Sequence, residues 1–217
     1  MSIENISITS PEGTLEGRLI LPKSGGPFPG VVMCHPHSMM GGNMDNNVIL
    51  GVCSVLEQRE YACLIFNFRG VGKSTGVFDN GKGEIEDTLY AISFLANHTD
   101  INSEAILLAG YSFGAGVALN AATNNNINIA LALIGRARVD PETELNNRPD
   151  MPVLFVVGDR DKIMTKEEWE GLQLISAVKP ELQILPDADH FLIGKELEVG
   201  MIVADFFDNV LKNQKNI

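Results

Sequence analysis

The segment Gly110-Tyr111-Ser112-Phe113-Gly114 holds the residues whose types and spacing most directly point to chemistry. It follows a short apolar run, residues 105–109, and precedes a small-residue stretch that reads as helix. Glycine, any residue, serine, any residue, glycine in that setting is the signature of a sharp strand-to-helix turn. Such a turn strains the serine backbone and lifts its Oγ to the carboxyl end of a strand. There it stands over a helix N-terminus whose free N–H groups favour anions. A hydroxyl so placed can attack an acyl carbon once a base takes its proton.

The base follows from arithmetic. The chain has four histidines: His35, His37, His98 and His190. On turns of this kind the chain order is serine, then acid, then histidine, and only His190 lies beyond Ser112. It sits in a turn-rich loop after the last apolar run, where an imidazole can be lowered onto the hydroxyl, take its proton and return it to a leaving group. The orienting carboxylate should follow the run at 153–157, and Gly158-Asp159-Arg160-Asp161 is there. Asp159 and Asp161 share one turn, so spacing leaves the choice between them open. Asp187 and Asp189 flank His190 too closely to reach back to its ring.

A tetrahedral intermediate also needs two N–H donors. One is expected from the backbone of Phe113, the residue after the nucleophile. The other is expected from the loop Cys34-His35-Pro36-His37, where Pro36 has no N–H and His37 is the expected donor. Gly41 and Gly42 would let that loop fold near a substrate. His35 and His37 are two apart with no Cys or acidic ligand beside them, a poor metal site, and no metal or cofactor is expected. The Gly-Lys-Ser at 72–74 is not a phosphate cradle either. Asn67 stands where a Walker A loop has its first glycine, and Thr75 where a dinucleotide fingerprint has its third. Segment 69–76 reads as a mobile loop forming one wall of a cleft, and Met39 and Met40 as possible walls of an acyl pocket.

The elements that must position these groups are legible in the hydropathy. Period-two alternation at Ile6 and Ile8, then at Leu15, Gly17, Leu19 and Leu21, reads as a half-exposed antiparallel hairpin. Continuous apolar runs follow at 31–34, 61–66, 105–109, 127–134, 153–157 and 182–185. Unbroken runs are what a sheet covered on both faces requires. Helical spacing lies between them: Val48, Ile49, Val52, Val55 and Leu56; Ile85, Leu89, Ile92 and Leu95; Val199, Ile202, Val203, Phe206 and Val210. The alternation predicts an α/β fold with a doubly wound, mostly parallel sheet and the hairpin as its antiparallel edge.

Of 217 residues, 45% are apolar and 20% charged, a globular composition, and residues 1–217 read as one domain. Twenty-eight acids against sixteen bases give a net charge of −12, which excludes nucleic acid and anionic membranes as expected partners. Cys34, Cys53 and Cys63 lie in apolar runs without paired spacing and read as buried free thiols of a reducing compartment. The first residues show no signal-peptide pattern and no apolar run approaches a membrane span, so a cytoplasmic location is expected. Interval 135–150 is polar and cannot pack as a helical lid, which predicts an open cleft; Arg136 and Arg138 near its start read as part of a solvated loop, with attraction of an acidic substrate as the alternative.

Taken together, His35-Pro36-His37 with Gly42, Asn67-Phe68-Arg69-Gly70 with Gly72, Ser74 and Gly76, the elbow, Gly158 with Asp161, and Asp189-His190-Phe191 resemble the α/β-hydrolase superfamily. More narrowly, the whole chain is similar to small bacterial hydrolases related to dienelactone hydrolases and short-chain esterases. The resemblance implies a sheet of about eight strands, and the polar interval 135–150 leaves it no large cap. It implies Asp161 as the acid, and a serine hydrolase of small carboxylic esters or thioesters with a small-molecule acyl substrate. Dienelactone hydrolases proper carry a cysteine nucleophile; the serine here departs from them. A peptidase, amidase or thioesterase with the same three groups, or a binding protein on the same fold, are the alternatives, and nothing in the sequence fixes whether the chain forms a homodimer.

Overall fold

Strands buried on both sides need a layer of helices on each face, and the computed structural model has that arrangement; it describes residues 1–124, 130–136, 150–163 and 180–214. The strands are β1 (Ser2–Ser10), β2 (Gly13–Leu21), β3 (Phe28–Cys34), β4 (Ala62–Phe66), β5 (Ile101–Tyr111), β6 (Leu131–Ile134), β7 (Val153–Gly158) and β8 (Glu181–Leu185). The helices are α1 (Asn47–Gln58), α2 (Lys82–Ala96), α3 (Phe113–Asn124) and α4 (Glu196–Gln214), with a single 3-10 turn at Ser38–Met40. The eight strands form one sheet in the order β1-β2-β4-β3-β5-β6-β7-β8. β1 and β2 pair antiparallel, as do β2 and β4; every other neighbour is parallel.

Alternate residues of each central strand feed opposite cores. Val32, Cys34, Leu64 and Phe66 join one apolar cluster with Ala91 and Leu95 of α2 and Ala118 and Leu119 of α3. Val31, Met33, Cys63 and Ile65 join the other, with Val48 and Val52 of α1 and Val203 and Phe207 of α4. Both faces of β3 and β4 are therefore dry, and an apolar run without polar alternation is the outcome. After β3 the chain crosses to β4 on one side and then to β5 on the other. That reversal opens a crevice at the carboxyl ends of β3 and β5, the place where ligands bind in open α/β sheets.

Local sequence sets the element starts. Asn46 caps α1, its Oδ1 accepting from Val48 N at 3.0 Å. Gly81, at φ 97°, begins α2, and the Glu84 carboxylate accepts from Gly81 N at 2.7 Å and from Asp79 N at 2.9 Å. Two strands start earlier than hydropathy indicates. β3 begins with Phe28-Pro29-Gly30, whose breakers hide it; β5 begins with Ile101, and the exposed Asn102, Ser103 and Glu104 that follow hide its first half. The strand expected at 127–134 is seen at Leu131–Ile134, its first residues falling outside the described ones. So do residues 137–149, most of the interval read as too polar for a lid, and Arg138 with them. The described residues include no cap domain and no helix long and apolar enough to cross a membrane.

Segment 69–76 is tied down rather than loose. Ser74 Oγ donates to Asn67 O at 2.7 Å and accepts from Glu16 N, and the Glu16 carboxylate accepts from Lys73 N and Asn67 Nδ2. Behind it the Arg69 guanidinium lies 2.9 Å from Asp87 on α2, both side chains buried. Arg69 N also donates to the Asp87 carboxylate. Burial raises the Asp87 carboxyl above its ordinary value, even against the pull of Arg69. Removing one member of a buried pair strands the other charge, at a cost of about 3–5 kcal/mol. Arg69→Met should therefore lower the free energy of urea unfolding by about that amount. A loss comparable to an exposed-pair deletion, below about 1 kcal/mol, would show that the pair does not fasten this segment.

Candidate active site

The turn between β5 and α3 is crowded to the limit of backbone contact. A Cβ at Gly114 would lie 2.3 Å from Cys34 O and 2.4 Å from His35 O; one at Gly110 would lie 2.3 Å from Gly114 O. No side chain fits at either place. The chain passes between them only by taking Ser112 to φ 55°, left-handed backbone that costs a non-glycine residue roughly 1–2 kcal/mol. Ser112 N donates to Ile134 O at 2.8 Å, which fixes the turn to β6. The strain points Oγ out of the turn, half-buried, toward the loop after β8.

There it meets His190. Ser112 Oγ lies 3.0 Å from His190 Nε2, and His190 Nδ1 lies 2.9 Å from Asp161 Oδ2. The imidazole and carboxyl residues are 9% and 6% exposed, so both groups are largely shielded from solvent. An ionised carboxylate can only accept, so Nδ1 carries the proton, and Nε2 is left to accept from the serine hydroxyl. Asp161 Oδ1 is held by Ile163 N at 2.8 Å. Asp159, its rival in the same turn, faces elsewhere: its Oδ1 accepts from Ala188 N at 3.3 Å and so holds the histidine loop. Asp187 pairs with Arg160, and Asp189 accepts from Phe191 N within its own turn.

Two supports were not visible in the sequence. Tyr111, the variable residue of the elbow, donates its hydroxyl to His190 O at 2.9 Å, and its ring stacks on the imidazole at 5.9 Å. Burial first, then the charges of Asp161 and Asp189, push the Tyr111 phenol up to about 12, so it stays protonated as the donor. His35 is fully buried. Its Nε2 accepts from Phe68 N at 3.0 Å and its Nδ1 donates to Pro36 O at 2.7 Å. Both ring nitrogens are thus engaged in fixing the loop that carries His37. Nothing in residue type or spacing separates such a clamp from an ordinary core histidine.

That loop and the elbow meet over the cleft. The His37 ring packs 4.9 Å from Phe113 and 5.0 Å from Phe78, while His37 Nδ1 accepts from Met39 N. Phe113 opens α3, where first-turn N–H groups have no acceptor within the helix. His37, Ser112 and Phe113 line one cavity of about 500 Å³, together with Met40, Ile85 and Val117. Met39 does not line it. Segment 69–76 walls a separate polar cavity with Gly70, Val71 and Gly72; the wall beside Ser112 comes instead from Asn80, Gly81 and Lys82. The three cysteines are buried, and burial pushes the Cys34 thiol up to about 12, so it is no rival nucleophile.

This fold with this arrangement defines an α/β-hydrolase. Residues 13–150 match the X-Pro dipeptidyl-peptidase (S15) family, and the chain belongs to that family. It is 31% identical over 216 residues to an uncharacterized protein of Rickettsia prowazekii, covering 96% of this chain and 90% of that one. It is also similar to an alpha-beta serine hydrolase homologue from Coxiella burnetii, at 29% identity and TM-score 0.79 over 93% of this chain and 96% of that one. An α/β serine hydrolase without lid from Xanthomonas campestris matches at 27% identity and TM-score 0.80, over 95% and 94% of the two chains. The protein is a hydrolase.

The clamp at His35 makes stability depend on pH. Burial, only partly opposed by the bond to Pro36 O, lowers the His35 imidazole to about 4. In the unfolded chain it protonates at about 6.5, so the unfolded state binds the extra proton between these values. The contribution is whole above pH ~6.5 and is lost as pH falls toward 4, roughly 3 kcal/mol in all. Urea unfolding at pH 7 and pH 4.5 should show a drop for the wild type that is larger than the drop for His35→Gln by about 2–3 kcal/mol. Equal drops would mean that His35 does not remain neutral in the folded state.

Proposed function

We propose that the protein hydrolyses small carboxylic esters and thioesters through an acyl-enzyme on Ser112. The observation that carries this is the unbroken chain of hydroxyl, imidazole and carboxylate, 3.0 Å and 2.9 Å apart, opening onto a partly apolar cavity. Ser112 Oγ attacks the carbonyl carbon as His190 Nε2 takes its proton. Asp161 holds the ring and stabilises the imidazolium. The oxyanion is received by the backbone N–H groups of His37 and Phe113. His190 then gives the proton to the departing alcohol or thiol, leaving the acyl group on Ser112. Water, deprotonated by His190, attacks that ester; the carboxylic acid leaves and the hydroxyl is restored.

The family to which the chain belongs supports a second reading, release of X-Pro dipeptides. That reaction must accept a free α-amino group, an ammonium at neutral pH. The described residues lining the cavity include Lys82 and Arg136 and no carboxylate to receive it. The ester reading is therefore preferred.

Steady-state kinetics with p-nitrophenyl acetate and butyrate, set against glycyl-prolyl-p-nitroanilide, test the choice. The esters should have the higher kcat/KM. Ser112→Ala and Asp161→Asn should each lower kcat by about ten-thousandfold, and Asp159→Asn by far less. An undiminished Ser112→Ala variant would falsify the mechanism, and preference for the anilide would favour the dipeptidase.

A further inference from the structure

Among the described residues, the charged side chains that line the cavity beside Ser112 are basic, in a strongly acidic chain. Acids outnumber bases by twenty-eight to sixteen along the chain, yet Lys82 and Arg136 line this cavity and no carboxylate does among the described residues. The two acids nearest in sequence are turned away. Asp79 Oδ2 accepts from Gly83 N at 3.1 Å, and the fully buried Glu84 spends both oxygens on Asp79 N and Gly81 N. Both carboxylates therefore serve the start of α2 and leave Lys82, in its first turn, facing solvent and the cavity. The Lys82 ammonium makes no ion pair with any described residue.

Arg136 lies against α3. A Cβ at Gly116 would stand 3.0 Å from its Nη1 and 3.2 Å from its Cζ, so the guanidinium occupies the space that a side chain at 116 would fill. Gly116 lies on the first turn of α3, four residues after the nucleophile, and Gly116 N donates to Ser112 O at 3.4 Å. One cation is thus laid against the helix that starts at Ser112, and another stands at the start of the neighbouring helix. The apolar Ile85, Phe113 and Val117 line the same cavity. A cavity whose described lining joins the nucleophile to apolar side chains and two cations suits a small molecule that is uncharged at its scissile carbonyl and negatively charged at its far end.

We propose that the site selects esters bearing a second carboxylate, which Lys82 and Arg136 receive. The inference rests on the ester reading of Ser112 and adds the class of substrate. The same charges disfavour a cationic substrate of equal size. The second carboxylate could belong to the acyl group or to the alcohol, and the chemistry at the two cations is the same in both cases.

The test compares charged and neutral pairs on the full chain. On the acyl side the pair is the p-nitrophenyl monoester of glutarate and p-nitrophenyl valerate. On the alcohol side it is the acetyl ester of 4-hydroxybenzoate and that of 4-cresol. In at least one pair the charged-to-neutral ratio of kcat/KM should be about tenfold, fall as salt is raised, and drop severalfold in Lys82→Met and in Arg136→Met. Lys82→Glu should reverse the preference. Turnover of the neutral esters through Ser112, with ratios near one that neither substitution moves, overturns this inference and leaves the ester reading standing. If no ester is turned over, the ester reading fails, and calorimetric titration of free glutarate decides the anion site alone. Binding weakened by Lys82→Glu supports the site, and no binding in the wild type overturns it.

Discussion

Close backbone packing at the turn after β5 is what makes the chemistry of the molecule available. The first turn of α3 presses on the end of β3 so tightly that the Cα of Gly114 faces two carbonyl oxygens, and the chain must turn through a left-handed serine to get there. A single contact therefore sets three features. It fixes the direction of Ser112 Oγ, leaves the Phe113 N–H at the head of a helix, and brings the His37 loop against Phe113. The strain of roughly 1–2 kcal/mol at Ser112 is offset by a sheet whose central strands are dry on both faces.

The rest of the site is held by hydrogen bonds, some buried and some at its rim. Tyr111 ties the histidine backbone, Asp159 ties the loop before it, and Ile163 N ties the carboxylate of Asp161. On the other side of the cleft, His35 locks Pro36 and Phe68 together, and Arg69 joins the adjoining segment to α2 through Asp87. Buried polar groups of this kind are costly when half-satisfied and rigid when complete. Tyr111, His35 and the Arg69–Asp87 pair are buried, so the groups facing the substrate rest on supports whose own geometry has little freedom.

Much of this was legible in the sequence, for physical reasons that differ by element. The central strands were readable because burial on both faces demands uninterrupted apolar runs, and the elbow because close backbone approach admits only glycine at 110 and 114. His190 was readable by chain order. The choice between Asp159 and Asp161 was not, since two carboxylates in one turn differ only in where the backbone aims them; resemblance alone singled out Asp161, the one that meets the ring. The first halves of β3 and β5 were hidden by Pro29 and Gly30 and by three exposed polar residues. The roles of Tyr111, His35 and the Arg69–Asp87 pair depend on contacts between distant segments, which no local pattern records. Segment 69–76, read as a mobile wall of the cleft, is fastened by Glu16, a residue more than fifty positions away.

The central claim is that the strained serine is the nucleophile and that its hydroxyl is activated where it stands. Peptide mapping by mass spectrometry, after reaction of the full chain with a fluorophosphonate, tests it directly. The account predicts one covalent adduct, on the peptide containing Ser112, and none when that residue is alanine. An unmodified Ser112 under conditions that fully label a known serine hydrolase, or an adduct formed at another residue, would contradict it.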